Sequence, residues 1–312
     1  MRLVEIFAVL YSQKSNNMLY INDIITFSKR GFEDISIEDF KEEPSIIGDI
    51  NTGYLQSKGL RYVPRTVKIL YNPLAYILEK HGILNSEEKD VVGLYNISDI
   101  CTLEPYFDFD EEVEQYGIQL ANPMKVPYSL IGVVTGWLAI KERMHNICLS
   151  LNSGKCGVIS ALDLIKIDLL SEEIKKGIIV GAHYMGKMYE KYNYSSTIKT
   201  EFSFAFLIST VPFGNLSIKI IESSVRTFSA NNLDKLLAEE NVTFFIESNV
   251  ELDIQMVANN SFRINFLSPQ TSFLPIFLKN ISSFEKFCKE ENYYVIIDDF
   301  KFIGYVKFKL NK

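Results

Sequence analysis

Short apolar runs alternate along the chain with stretches whose apolar positions recur every three to four residues. That alternation predicts a layered α/β fold rather than a helical bundle or a β-sandwich. Residues 3–11 (LVEIFAVLY) open as a strand. In residues 65–81 (RTVKILYNPLAYILEKH), Val67, Leu70, Tyr71, Leu74 and Leu78 share one helical face, Gly82 marks the end, and Pro73 predicts a kink. Residues 90–95 (DVVGLY) read as a buried strand, 130–144 as a helix, 147–151 as a short strand and 157–170 as a helix. The run Ile178-Ile179-Val180-Gly181 has no polar face, which suits a strand in the middle of a sheet covered on both sides.

The second half repeats this pattern in condensed form. Strands are expected at 202–209 and 216–222, with Pro212, Gly214 and Asn215 as the turn between them. A short helix follows at 232–239, a strand at 242–246, part of a helix at 284–289, and a closing pair of strands at 293–298 and 304–310. No low-complexity tract and no Gly/Ser linker divides the chain into independent domains.

Composition narrows the function. The chain has 312 residues, 47% hydrophobic and 23% charged, enough for a large core. A formal charge of -7 argues against nucleic acid as a partner, because phosphate neutralisation needs a basic surface. No apolar run reaches the roughly 20 residues of a membrane span, and the opening residues lack a small-residue cleavage site. A soluble, cytoplasmic protein with no membrane partner is expected. Cys101, Cys148, Cys156 and Cys288 show no CxxC spacing and only His81, His145 and His183 supply imidazoles, so no metal site or disulfide framework is expected.

Candidate chemistry centres on residues 147–162, ICLSLNSGKCGVISAL. This has the frame of a nucleophile turn, in which a strand feeds a buried helix. A cysteine at such a turn has its thiolate stabilised by the helix N-terminus and by backbone N–H groups that also hold a thioester oxyanion. Cys156 is offset from that frame and is expected to face helix packing. His183, after a central strand, reads as a buried, satisfied imidazole. Asp108, Asp110, Asp298 and Asp299 read as solvated turn residues, and Trp137 as a core or interface anchor.

The order of motifs resembles that of the ketoacyl synthases. Residues 122–140 (NPMKVPYSLIGVVTGWLAI) resemble the family segment in which an Asn-Pro turn leads into a helix closed by an Ala-Ile pair. A strand, Ser153-Gly154, an Ala-containing helix and a strand running into Gly181-Ala182 then follow, as around that family's Cys-x-Ser-Gly elbow. Residues 298–309 (DDFKFIGYVKFK) resemble its closing Gly-rich segment and final strand, and residues 65–83 its first long helix.

The resemblance implies a thiolase-like, duplicated αβαβα fold. It makes residues 1–312 a single unit with an N-terminal half at 1–190 and a reduced C-terminal half at 191–312. It also implies a lost active centre. The nucleophile position falls on Leu151, and the two histidine positions fall on Ser248 and Leu274, so no catalytic residue is expected. The inactive relatives with this pattern are chain-length factors, the ketosynthase beta subunits of type II polyketide synthases. By that resemblance the partners are a ketosynthase alpha subunit and an acyl carrier protein. The chain itself takes no cofactor, since the carrier's phosphopantetheine reaches the partner subunit.

Thr102, Pro105 and Phe109 fall on the family's chain-length gate, in a stretch that also reads as a loop anchored by aromatics. Tyr128, Cys148, Leu149, Ser150, Leu151 and Asn152 are the dimer-interface candidates. Two alternatives remain: an acyltransferase or decarboxylase using Cys156 or Cys148, and a purely structural subunit of degenerate thiolase fold.

Overall fold

The computed structural model describes residues 18–32, 46–47, 63–184, 200–213, 217–239, 241–248, 261–264, 272–298 and 302–310. The first half runs β1 (Leu19–Ser28), α1 (Arg65–Lys80), β2 (Val92–Asn96), α2 (Leu103–Tyr116), α3 (Ile131–Glu142), β3 (Cys148–Ser150), α4 (Gly157–Leu170), β4 (Lys176–His183) and β5 (Phe202–Ser209). The second runs β6 (Ile218–Thr227), α5 (Ala230–Leu237), β7 (Val242–Ser248), β8 (Ser261–Ile264), α6 (Leu274–Lys279), α7 (Ile281–Phe284), β9 (Glu291–Asp298) and β10 (Phe302–Leu310).

These strands form one mixed sheet in the order β3-β2-β4-β5-β1-β6-β10-β9-β7-β8. Outward from the centre, each half presents its first, fifth, fourth, second and third strand. In each half the fifth strand is antiparallel to both neighbours, while the second is parallel to the third and the fourth. β1 and β6 meet antiparallel at the centre, Tyr20 opposite Lys219. The fold is therefore an internal duplication, carried by strand order and not by any repeated sequence.

That order locates the repeat and separates two strands that are consecutive in sequence. The repeat divides between β5 and β6, later than a boundary at residue 190. Residues 202–209 and 218–227 are also not a hairpin, because β1 lies between them and pairs with both. β1 itself was not expected. The strand expected at residues 3–11 lies outside the described residues.

Side-chain alternation sorts the layers. On β5, Phe202, Phe204, Phe206 and Ile208 point to the centre, while Ala205 and Leu207 point outward to α1 and α3. On β9, Tyr294 and Ile296 point to the centre, while Tyr293, Val295 and Ile297 face outward towards Leu233 of α5. The helices α4 and α6 fill the central layer between the two half-sheets, giving an αβαβα stack. Burying each such phenylalanine contributes roughly 1.5–3 kcal/mol, so this aromatic central layer supplies much of the driving force.

Local rules explain α1. Gly82 closes the helix at φ +65°, with Ile83 N–H donating to the Leu78 carbonyl. Pro73 has no N–H, which leaves the Ile69 carbonyl without its helical donor. Ser203 Oγ on β5 donates to that carbonyl at 2.8 Å, and the helix continues to Lys80. Among the described residues no helix is long and apolar enough to cross a membrane.

Candidate functional site

The elbow lies where the first half meets the second. β3 ends at Ser150, and Leu151 N–H still donates to the Asn96 carbonyl, extending the pairing beside β2. A 3-10 turn at Gly154–Cys156 follows, with Gly154 at φ +50°, and α4 begins at Gly157. The residue at the start of the buried helix is therefore Cys156. Leu151 packs its side chain against the central core, and Asn152 is exposed.

Cys156 does face packing. It is 3% exposed, and a Cβ on Gly304 of β10 would lie 2.9 Å from its sulfur. Burial pushes the Cys156 thiol up to about 12, with Asp298 and Glu247 adding to the rise and Lys155 opposing it. At neutral pH the sulfur is a protonated, enclosed thiol, the opposite of what a nucleophile at a helix start needs. Cys148, half-buried on β3, is likewise raised by burial.

The groups around Cys156 are a cation and two carboxyls. Lys155 is 2% exposed and Glu247, at the end of β7, is 0% exposed. Glu247 Oε2 accepts from Phe273 N–H at 2.9 Å and from the Tyr294 hydroxyl at 2.8 Å, while Oε1 takes no hydrogen bond among the described residues. Burial raises the Glu247 carboxyl to about 7 and Asp298 adds to the rise; Lys155, Tyr294 and the Phe273 N–H oppose it. Asp298 ends β9 half-buried, its Oδ2 3.9 Å from where a Cβ on Gly154 would stand. It is part of the elbow's surroundings and not a solvated turn residue. Glu247 gave no signal of this role in the sequence beyond a charge closing the apolar run Phe244-Phe245-Ile246.

Of the other expected positions, Asp108 and Asp110 lie half-buried on α2 and not in turns, and Asp299 lies outside the described residues. Ser248 is buried beside Glu247, and Leu274 opens α6 within the central core at 0% exposure. None of the three imidazoles is among the groups acting on Cys156. His81 Nε2 lies 2.7 Å from Asp23 Oδ2. The bonds from His81 and Lys80 outweigh the burial of Asp23 and hold its carboxyl at about 2. His145 is exposed, and His183 is buried with its ring 5.7 Å from that of Phe202. Trp137 packs on the outer core edge-on to Tyr71.

The gate candidates sit on a helix, not on a loop. Thr102 caps α2 and Pro105 and Phe109 lie in its first two turns, spaced three and four apart along one face; Pro105 is buried and the other two are half-buried. Arg65, at the start of α1, holds this helix in place. Its guanidinium donates to both oxygens of Glu104, to both oxygens of Glu201 and to the Ile47 carbonyl.

The interface candidates cluster at one edge of the sheet. β3 pairs only with β2, and its other edge is open among the described residues. Leu149 is 38% exposed, while Cys148, Ser150 and Tyr128 are half-buried. Upstream of β3 in sequence, Ile118, Leu120, Met124, Leu130 and Ile140 are exposed large apolar residues. Along the chain the first four stand in a stretch with no helical or strand period.

No protein-family model and no curated protein matches the sequence. Solved structures do match the fold. The ishigamide ketosynthase/chain length factor superimposes with a TM-score of 0.67 at 10% identity, over 95% of this chain and 100% of that one. A type II polyketide synthase acyl-carrier protein in complex with its ketosynthase, AntDE:AntF, gives 0.67 at 10% identity, over 94% and 99%. A beta-ketoacyl synthase from Burkholderia phymatum gives 0.68 at 9% identity, over 95% and 100%. At such identities the likeness establishes the architecture: the chain has the duplicated, thiolase-like αβαβα fold of the ketosynthases.

Proposed function

We propose that the chain is a non-catalytic, cytoplasmic chain-length factor: it pairs with an active ketosynthase alpha subunit in a type II polyketide synthase. An acyl carrier protein delivers its units to the partner's cysteine. The observation that carries this reading is the elbow, where a buried thiol, a lysine and two carboxyls stand in place of an activated cysteine with two imidazoles. The edge of β3, open among the described residues, and the exposed apolar residues upstream of it in sequence support a partner subunit. Two of the similar structures bear on the partners, one being a ketosynthase/chain length factor and the other an acyl-carrier protein complexed with its ketosynthase.

Two experiments test it. Co-expression with a neighbouring ketosynthase is expected to give a heterodimer by size-exclusion chromatography. Leu149→Asp, a charge on the exposed strand edge, is expected to weaken that pairing at least about 100-fold while leaving the chain folded. A soluble chain that stays unpaired would sink the proposal. With the pair in hand, Phe109→Ala removes bulk from the gate face of α2 and is expected to lengthen the polyketide, read by mass spectrometry of the products. Unchanged product length would favour a purely structural subunit.

A further inference from the structure

Lysine is almost never fully buried unless it is paired, yet Lys155 is among the largest fully buried side chains of the molecule. Its position is also electrostatically adverse. It stands in the turn just before α4, at the end of the helix where the backbone dipole favours anions. Two carboxyls of the other repeat belong to the same cluster: Glu247 at the end of β7, on which the Lys155 charge acts, and Asp298 at the end of β9. The Lys155 ammonium acts on the Glu247 carboxyl and on the Cys156 thiol, and Asp298 acts on both of the latter. Glu247 is anchored in turn by Tyr294 and by the N–H of Phe273, at the start of α6. The packing leaves little slack, since Gly304 has no room for even a methyl group beside Cys156.

We propose that Lys155 is a tethered plug. Its side chain permanently occupies the space that an acyl thioester would enter at a catalytic elbow, and its ammonium is the built-in counter-ion of Glu247 and Asp298. The former reaction centre is thereby an ionic lock between the two repeats, closed to acyl groups. The lock orders α4 against β7 and β9, the two strands of the second half that end beside it. The inference rests on the non-catalytic reading of the elbow. Its tests use only the chain's own thiol access and stability, so it can fail while pairing with a ketosynthase succeeds, and the reverse.

Native alkylation with iodoacetamide, read cysteine by cysteine by mass spectrometry, is expected to modify Cys156 at least about 100-fold more slowly than half-buried Cys148. Lys155→Ala opens a lysine-shaped vacancy lined by the two carboxyls. Propylammonium is expected to raise the melting temperature of that variant by roughly 3 °C, while tetramethylammonium at equal ionic strength leaves it unchanged and neither shifts the parent chain. Lys155→Met, which keeps the bulk and removes the charge, guards against a failure of the alanine variant to fold. It takes the lysine charge away from Glu247, so it is expected to lose clearly more stability at about pH 8, where that carboxyl is ionised, than at about pH 6. Cys156 alkylating as fast as Cys148, a folded Lys155→Ala without amine-specific stabilisation, or an equal loss for Lys155→Met at both pH values would each overturn the proposal.

Discussion

Arg65→Leu is expected to destabilise the chain by about 3–5 kcal/mol, the range for breaking a buried ion pair by removing one partner. By the usual scaling for a chain of this size that is on the order of 5–10 °C in melting temperature. Glu201 is 0% exposed, and its carboxylate is held by Arg65 at 2.6 and 3.0 Å and by the Ile47 N–H at 2.7 Å. Without the guanidinium, a buried negative charge loses the cation that now binds both of its oxygens. Lysine at this position is no substitute, because one ammonium cannot reproduce the paired contacts of a guanidinium with two carboxylates. Arg65→Leu combined with Glu201→Leu is expected to recover a large part of the loss, since an apolar pair removes the stranded charge. Thermal or urea unfolding measures all three. A loss below about 1 kcal/mol for Arg65→Leu would place the cluster among the ordinary surface ion pairs. The consequence reaches the proposed gate, because the same guanidinium fixes Glu104, one residue from Pro105 on α2.

Elements with a one-sided or uninterrupted apolar pattern were mostly legible in the sequence itself. Residues 157–170 and 202–209 form the expected helix and strand with the expected bounds, and the closing strands pair as expected. β1 was not legible because its sequence, LYINDIITFS, places Asn22 and Asp23 at buried positions. Asn22 is satisfied by Ser209 and by the backbone of Val211 and Phe213, and Asp23 by Lys80 and His81, all distant in sequence. A local pattern cannot show that a polar residue finds its partners across the fold. α2 escaped for a different reason: its acidic, aromatic stretch carries Pro105 near the start, a position where proline is tolerated but which reads locally as a break.

The elbow shows the limit of aligning motifs by spacing. Counting from Ser153-Gly154 puts the key position on Leu151, directly after the strand, whereas the 3-10 turn delays the helix to Gly157 and brings Lys155 and Cys156 to its start. The two carboxyls that complete the cluster come from the second repeat. Nothing in the sequence shows that residues 155, 247 and 298 meet. The duplication brings them together, since each half-sheet points the ends of its second and fourth strands at the central helices.

Glu247→Gln is expected to leave stability nearly unchanged at about pH 4 and to raise it by about 3 kcal/mol at about pH 8–9. In the folded chain burial lifts the Glu247 carboxyl from its ordinary 4.5 to about 7, so folding favours the protonated form. The stability carried by that proton is fully present below pH 4.5 and is lost as pH rises through 7, because the folded state must then either hold a buried carboxylate or unfold. Glutamine cannot ionise, and its carbonyl oxygen can still accept from the Phe273 N–H and the Tyr294 hydroxyl, the two bonds that Oε2 now receives. The variant therefore keeps the anchoring and removes the pH-dependent cost of burying the carboxylate, which the Lys155 charge lowers but does not cancel. Urea unfolding of the two chains at both pH values measures the difference directly. An identical effect of the substitution at both would mean that Glu247 stays ionised throughout, with Lys155 compensating its charge in full. A rising benefit with pH would instead mark the elbow cluster as a place where stability near neutrality is set by a single buried proton.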